Sequence, residues 1–338
     1  MTRVKVGVVG VGVMGLYHAL QYLRLPEVEL VGVCDNSAER LAIVTSQLRV
    51  PGWRDYRELV GRVDVVSLAV PTSLHYPLAL DLLRSGIHLL VEKPITTTVE
   101  EAEELAELSQ RLGLVLQVGH IMRFYPSVRE LPSLVRQPVC LQARRMGPNG
   151  RVTDIGVILD LMIHDIDIIL GLTDSEIEVL HVVGAGRRGL EDFAQAQIGF
   201  RSGCLATLTA SRLSQTVVRT LEITQPGEVI WVDFGDERDQ DFVIHRGSST
   251  DYAVSDGGRA YRTHSRTTVE RVSMHRENPL RLELAHFIGR VRGLVEPIAT
   301  MEDDLKALRL AVRMQREMHL VEVPRLQVPQ LWKAGGRA

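Results

Sequence analysis

The chain has 338 residues, 45% of them hydrophobic and 24% charged, with a formal net charge of −3. That length accommodates two domains with separate cores, and the composition is that of a globular protein rather than a disordered one. The slightly acidic balance offers no general attraction to nucleic acid or to an anionic membrane. Cys34, Cys140 and Cys204 are too scattered for a disulfide framework or a zinc site, and no run reaches the roughly 18 apolar residues of a membrane span. The first strand is entered at once without a leader pattern, so the expected compartment is the cytoplasm.

The first element is a strand. Val4, Val6, Val8 and Val9 are β-branched, as a strand buried on both faces prefers, and Gly10, Gly12 and Gly15 follow as G-x-G-x-x-G. In such a turn the first glycine permits the bend, the second lets backbone approach a pyrophosphate, and the third lets the next helix pack on the strand. That helix aims its N-terminal N–H groups at the phosphates. A second strand, Val28 to Cys34, ends at Asp35, twenty residues after Gly15, where an acid would hydrogen-bond the adenosine ribose. The strand, helix, strand, acid order predicts dinucleotide binding. A carboxylate at that place favours NAD over NADP, with Arg40 nearby in sequence as the one counterweight.

Alternation continues. Ser37 caps a helix to about Ser46, a short helical segment spans Asp55 to Val60, and Val63 to Val70 is an apolar strand. Then come a helix from Leu74 to Ser85, a strand from His88 to Val91, a Glu-rich helix from Val99 to Leu112 and a strand from Leu114 to Val118. Repeated strand–helix units predict a doubly wound parallel sheet, an α/β Rossmann domain over residues 1–121.

The rest has another rhythm. A strand, Val139 to Arg145, and a helix, Gly156 to Leu170, precede strands at Val179 to Val183, Ala194 to Phe200, Cys204 to Ser211, Arg219 to Thr224, Val229 to Phe234 and Phe242 to His245. Strands joined by turns predict an α+β domain with a large, open, mostly antiparallel sheet over residues 122–338. Gly247 to Arg266 reads as a long loop or hairpin end, Pro279 to Arg292 and Glu302 to Met318 as helices, and the tail after Val321 as an extended or frayed arm. One face of the open sheet needs a cover, which predicts a homodimer or homotetramer.

Two stretches carry candidate chemistry. Glu92-Lys93-Pro94 ends a parallel strand, where doubly wound sheets bind ligands, so Lys93 is expected beside the nicotinamide. In the helix around Asp160 to Asp167, a period of about 100° per residue puts Asp160, His164 and Asp167 on one thin polar stripe of an otherwise apolar surface. A stripe of that kind faces a polar cavity or, as the alternative, makes structural hydrogen bonds from a half-buried helix. Asp160 and His164 lack a third ligand of familiar spacing, so no metal is expected.

The glycine turn, the Pro71 loop with His75, Glu92-Lys93-Pro94, Gly119-His120, Arg123-Phe124-Tyr125-Pro126 and Asp160 to His164 together resemble the glucose–fructose oxidoreductase / inositol dehydrogenase / MocA family over nearly the whole chain. Within it, the run from Arg144 through Asp154 to Asp167 resembles UDP-N-acetylglucosamine 3-dehydrogenases, which supply a 3-keto sugar nucleotide to an aminotransferase in lipid A biosynthesis. The resemblance implies an NAD-dependent dehydrogenase acting on a sugar or UDP-sugar. NAD would be held by Gly10, Val11, Gly12, Val13, Met14, Gly15, Asp35, Asn36, Arg40, Ala69, Val70, Pro71, Thr72, Leu74, His75, Glu92, Lys93, Pro94 and Arg123. Substrate would meet Lys93, His120, Arg123, Tyr125, Arg144, Arg151, Asp160 and His164, the arginines being suited to a diphosphate. His164 is expected to take the hydroxyl proton, Lys93 to stabilise the oxygen and Asp160 to assist, with the roles of Lys93 and His164 open to exchange. A free polyol dehydrogenase, an NAD-dependent glycosidase and a non-enzymatic NAD-binding regulator are the alternatives.

Overall fold

The computed structural model describes residues 2–148, 152, 154–187, 189–235, 242–247, 252–255, 259–262, 267–273 and 277–322. The chain opens with β1 (Val4–Val9), α1 (Val13–Tyr22), β2 (Val28–Cys34), α2 (Ala38–Leu48), β3 (Gly52–Trp53), β4 (Val65–Leu68), α3 (His75–Arg84), β5 (His88–Glu92), α4 (Val99–Leu112) and β6 (Leu116–Gly119). These six strands are parallel, in the order β3-β2-β1-β4-β5-β6. The order reverses direction beside β1, so the carboxyl ends of β1, β2, β4 and β5 gather Gly10, Asp35, Ala69 and Lys93 along one edge. The short helix expected near Asp55 is a single 3₁₀ turn, Tyr56–Leu59, capped by the Asp55 side chain.

After a 3₁₀ turn (Ile121–Phe124) come α5 (Pro126–Leu134), which sequence periodicity did not reveal, and β7 (Cys140–Pro148). A π-helical turn, Ile158–Met162, then runs into α6 (Ile163–Leu172). The strands that follow are β8 (Ile177–Arg187), β9 (Leu190–Phe200), β10 (Leu205–Ser211), β11 (Leu213–Gln225), β12 (Glu228–Asp233), β13 (Phe242–Gly247), β14 (Tyr252–Ser255), β15 (Arg259–Arg262) and β16 (Thr267–Val272). The chain closes with α7 (Pro279–Val291), α8 (Met301–Glu317) and β17 (His319–Glu322). Nine strands form the second sheet, in the order β16-β13-β12-β11-β7-β10-β9-β8-β17, and its pairs are antiparallel except β7–β10 and β8–β17. The segment read as a loop or hairpin end contains the β14–β15 hairpin, and the tail beyond residue 322 lies outside the described residues.

One continuous core runs from α3 and α4 on the first sheet to the helix-covered face of the second, where Leu141, Ala143, Ala206, Leu208, Leu221 and Ile223 meet Ile158, Ile166 and Ile169. A second core lies on the other face of the first sheet. There α7 crosses back from the C-terminal part of the chain and buries Leu284, Phe287 and Ile288 with Ala19 and Tyr22 of α1. Each such side chain contributes about 1.5–3 kcal/mol, so α7 straps the two parts of the chain together. The opposite face of the nine-stranded sheet carries exposed Val179, Val183, Leu205 and Val269.

Candidate active site

At the glycine turn, φ is +82° at Gly10, and a Cβ there would lie 2.5 Å from the Ala69 carbonyl oxygen. A Cβ on Gly15 would lie 1.7 Å from the Gly10 carbonyl oxygen. Both glycines are demanded by the protein's own packing. Gly12 is not: a Cβ there would meet only an Arg40 nitrogen, at 3.7 Å. Its N-terminal position on α1 carries no side-chain cap and no acidic residue in the first turn, leaving the amides around Val13 and Met14 for an anion. The cradle therefore fits a dinucleotide pyrophosphate.

Asp35 is buried at the end of β2. Its Oδ2 accepts from the Val11 amide (2.9 Å) and its Oδ1 from the Ser37 amide (2.8 Å), which aims the carboxylate across the turn. The Arg40 guanidinium stands 4.0 Å from Asp35 and is largely in solvent. The Asn36 carbonyl accepts from Arg54. Val70 and Pro71 leave β4 into a 3₁₀ turn, Thr72–Leu74, with Leu74 exposed and Thr72 buried. His75 departs from the expectation of a ring lining the cofactor. Its Nδ1 lies 2.8 Å from the Pro94 oxygen and its Nε2 3.0 Å from the Val70 oxygen, so the buried ring joins two strand-end loops.

Glu92 and Lys93 diverge at the end of β5. Glu92 turns inward, with Oε1 2.9 Å from His18 Nε2 and Oε2 accepting from the Lys93 amide. Lys93 reaches outward to the π-helical turn of the second part, where its Nζ donates to the Asp160 carbonyl (2.5 Å) and to Asp160 Oδ1 (3.2 Å). Asp160 Oδ2 faces Arg212 at 3.5 Å, and Arg212 also donates to the carbonyls of Val152 and Ile155 (both 3.0 Å). At the start of this segment the buried Glu191 carboxylate accepts from the Ile158 amide (3.0 Å), in space that a Cβ on Gly156 would fill. His164 is one turn on, partly exposed, and its Nδ1 has no hydrogen-bond partner. Burial first, then the positive charges of Lys93 and Arg145, hold its imidazole well below the usual basicity, so it is neutral.

The polar stripe does not act as one. Asp160 faces Lys93, whereas Asp167 is buried and grips the Arg123 guanidinium by two hydrogen bonds. Arg123 also pairs with Asp304 of α8 at 2.7 Å. His120 lies between them, its ring nitrogens 3.9 Å from Asp167 and 3.8 Å from Asp304, and burial pushes it down to about 4. Arg123, expected at the ligands, is thus tied to two carboxylates of the second part, and His120 is buried between those same carboxylates. The reason is a partner far along the chain, Asp304, which local spacing does not show.

Arg144 also departs from expectation. Strand alternation sends Arg145 inward to the Asp165 carboxylate (2.7 Å) and Arg144 to the opposite, open face of the sheet, away from His164. Arg151 lies outside the described residues. Tyr125 sets its ring edge-on to Phe234, with centroids 6.1 Å apart. Sequence reasoning missed Glu191, Arg212 and Arg219. A signal for Arg219 existed: it occupies the inward register of Leu221 and Ile223, an odd place for a cation. Among the described residues no cluster of three or more His, Cys, Asp or Glu is placed to hold a metal ion. No helix among them is long and apolar enough to cross a membrane. A groove lined by Glu103, Glu107, Arg290 and Arg309 lies between α4 and α8, away from this chemistry.

A glycine cradle at one strand end and a lysine–aspartate–histidine group beside it define an oxidoreductase on an NAD-binding Rossmann fold. Comparison with known proteins agrees. Residues 4–120 match the model of the oxidoreductase family with NAD-binding Rossmann fold, and residues 140–225 the GFO/IDH/MocA C-terminal domain. The chain belongs to the GFO/IDH/MocA family. It is 37% identical over 253 residues to a UDP-N-acetylglucosamine 3-dehydrogenase of Acidithiobacillus ferrooxidans, covering 74% of this chain and 80% of that one. The solved structure of UDP-N-acetylglucosamine 3-dehydrogenase GnnA from the same organism matches at a TM-score of 0.81 and 31% identity, over 94% of this chain and 98% of that one. A scyllo-inositol 2-dehydrogenase (NAD(+)) of Bacillus subtilis is 27% identical over 325 residues, 88% of this chain and 89% of that one.

Proposed function

We propose that the protein oxidises a secondary alcohol of a nucleotide-linked sugar, the C3 hydroxyl of UDP-N-acetylglucosamine, to the 3-keto sugar nucleotide, using NAD. The product would feed an aminotransferase in a lipid A type pathway. The observation that carries the chemistry is Lys93 bridging from the end of β5 to Asp160, one turn from a neutral His164. The relatives support the substrate, and the Asp35 carboxylate beside Gly12 supports NAD, since it would repel a 2′-phosphate.

Bound at the Gly12 cradle, NAD supplies the hydride acceptor for the carbinol C–H. The residues supply the rest. Neutral His164 receives the hydroxyl proton, because an unprotonated imidazole can accept one throughout the neutral range. Lys93 donates to the same oxygen and stabilises negative charge as the O–H bond breaks. Asp160 holds the Lys93 ammonium in place and pairs with Arg212, which holds the carbonyls of Val152 and Ile155. Residues 1–121 would then serve as the cofactor unit and residues 122–338 as the substrate and assembly unit, with the exposed apolar face of the second sheet covered by another copy of the chain. A monomer by light scattering at micromolar concentration would remove that last element.

The deciding experiment incubates the protein with NAD, a panel of UDP-sugars and free polyols, and an aminotransferase or hydroxylamine trap for the ketone. Trapped 3-keto product from UDP-N-acetylglucosamine supports the proposal. Turnover of inositols alone would move the protein to the polyol reading, and sugar cleavage without net NADH to a glycosidase. Tighter binding of NADP than NAD by titration calorimetry would overturn the role of Asp35.

A further inference from the structure

The cations around His164 are not equivalent. Lys93 is balanced by Asp160, Arg145 by Asp165, and Arg212 by Asp160 and two carbonyls. Arg219 stands opposite Arg145 on β11, in the inward register of Leu221 and Ile223, and therefore on the face that α6 covers. Arg145 meets Asp165, the residue after His164, so this register carries Arg219 to the edge of the same site. Its charge is felt at His164, where it adds to the forces holding the imidazole neutral. Yet Arg219 is exposed, and its side chain has no carboxylate partner among the described residues. Its carbonyl accepts from the Phe234 amide (2.7 Å), and the Phe234 ring packs against Tyr125.

An arginine that has no carboxylate partner among the described residues opposes protonation of a base beside it, unless the substrate brings a negative charge. We propose that Arg219 is the anion anchor of the substrate site and selects sugars carrying a phosphate or diphosphate over neutral polyols. This rests on the dehydrogenase reading above and adds the residue that recognises the charged part of the substrate. A guanidinium presents paired N–H donors that suit phosphate oxygens. Engaging them does two things at once: it seats the sugar, and it screens His164 from a positive charge at the moment a proton is to be transferred.

The test titrates UDP, and separately inorganic pyrophosphate, into NADH-saturated wild type, Arg219→Gln and Arg219→Lys. The expected result is about ten- to a hundredfold weaker binding of UDP and of pyrophosphate by Arg219→Gln, the scale of one charge-assisted contact, partly restored by Arg219→Lys. Affinity for NADH, which reports an intact fold, should be unchanged. In the coupled assay Arg219→Gln should raise KM for the nucleotide sugar far more than it lowers kcat. Loss of UDP affinity with pyrophosphate affinity kept would shift the contact to the nucleoside and overturn the anion anchor. So would UDP binding within twofold of wild type, no binding of either anion by wild type, or an equal loss of kcat/KM on a neutral polyol. If UDP-N-acetylglucosamine is not oxidised but Arg219-dependent anion binding persists, the anchor stands and the particular substrate falls.

Discussion

Asp160 and Asp167 sit seven residues apart on one helical segment, and an ideal helix would aim both the same way. One holds Lys93 at the candidate active site, and the other is sealed inside with Arg123 and Asp304. The π-helical turn at Ile158–Met162 separates them, because it carries an extra residue per turn and shifts Asp160 out of phase with the α-helix that follows. The lesson is that the same acid stands at the candidate site where it meets a lysine from the end of a parallel strand, and ties structure together where it is one of two carboxylates on an arginine.

The comparison breaks most visibly at the chemical end. Lys93→Ala and His164→Ala should each lower turnover by about 10²- to 10⁴-fold while NAD still binds, measured by the coupled assay and by calorimetry. Near wild-type turnover in both would remove the catalytic assignment. At the structural end, Asp167→Ala should cost about 1.5–3 kcal/mol in urea denaturation, since it removes two charge-assisted hydrogen bonds and leaves Arg123 with Asp304 as its carboxylate, and the fraction that stays folded should keep its KM for NAD. The glycine turn sharpens the same contrast: Gly15→Ala should prevent normal folding, whereas Gly12→Ala should leave the melting temperature nearly unchanged and weaken NAD binding about tenfold or more.

The smallest effect is in pH. Burial, only partly offset by Arg123, raises Asp304 to about 7, above its unfolded value near 4. The folded state therefore holds the extra proton between those values, and this group's contribution is present at low pH and lost as pH rises through 7. The stability deficit of Asp304→Asn relative to wild type should shrink between pH 5 and pH 7, by at most about 1.4 kcal/mol per unit, in denaturation at fixed ionic strength. His164 has the opposite sign. Its folded value is lowered, so its contribution is complete above the unfolded value near 6.5 and lost as pH falls below it.

What could be read from the sequence follows from the range of the interactions. Gly10, Gly15 and Asp35 are legible because turn, strand and acid are local in the chain, and Lys93 because a parallel sheet places every strand end on one edge. The Asp160–His164 pair was visible as a polar strip one turn apart. The π-helical turn was not, since nothing in Ile158–Met162 distinguishes it from an α-helix. One carboxylate partner of Arg123, Asp304, belongs to the last helix and is out of reach of local spacing, and the adjacent Arg144 and Arg145 look alike until a strand sends them to opposite faces. Arg219 is not legible in the sequence, because a cation in a strand looks like surface until the sheet has a covered side.

The Lys93 bridge has an entropic consequence. A free lysine samples many rotamers, and immobilising one on binding costs up to about 1.5–2 kcal/mol. Here the ammonium is already fixed by the Asp160 carbonyl and carboxylate before any sugar arrives, with only 16% of its side chain exposed. Folding has therefore met that cost in advance, so that under the proposed mechanism an arriving hydroxyl would find a donor that needs to be shared rather than ordered.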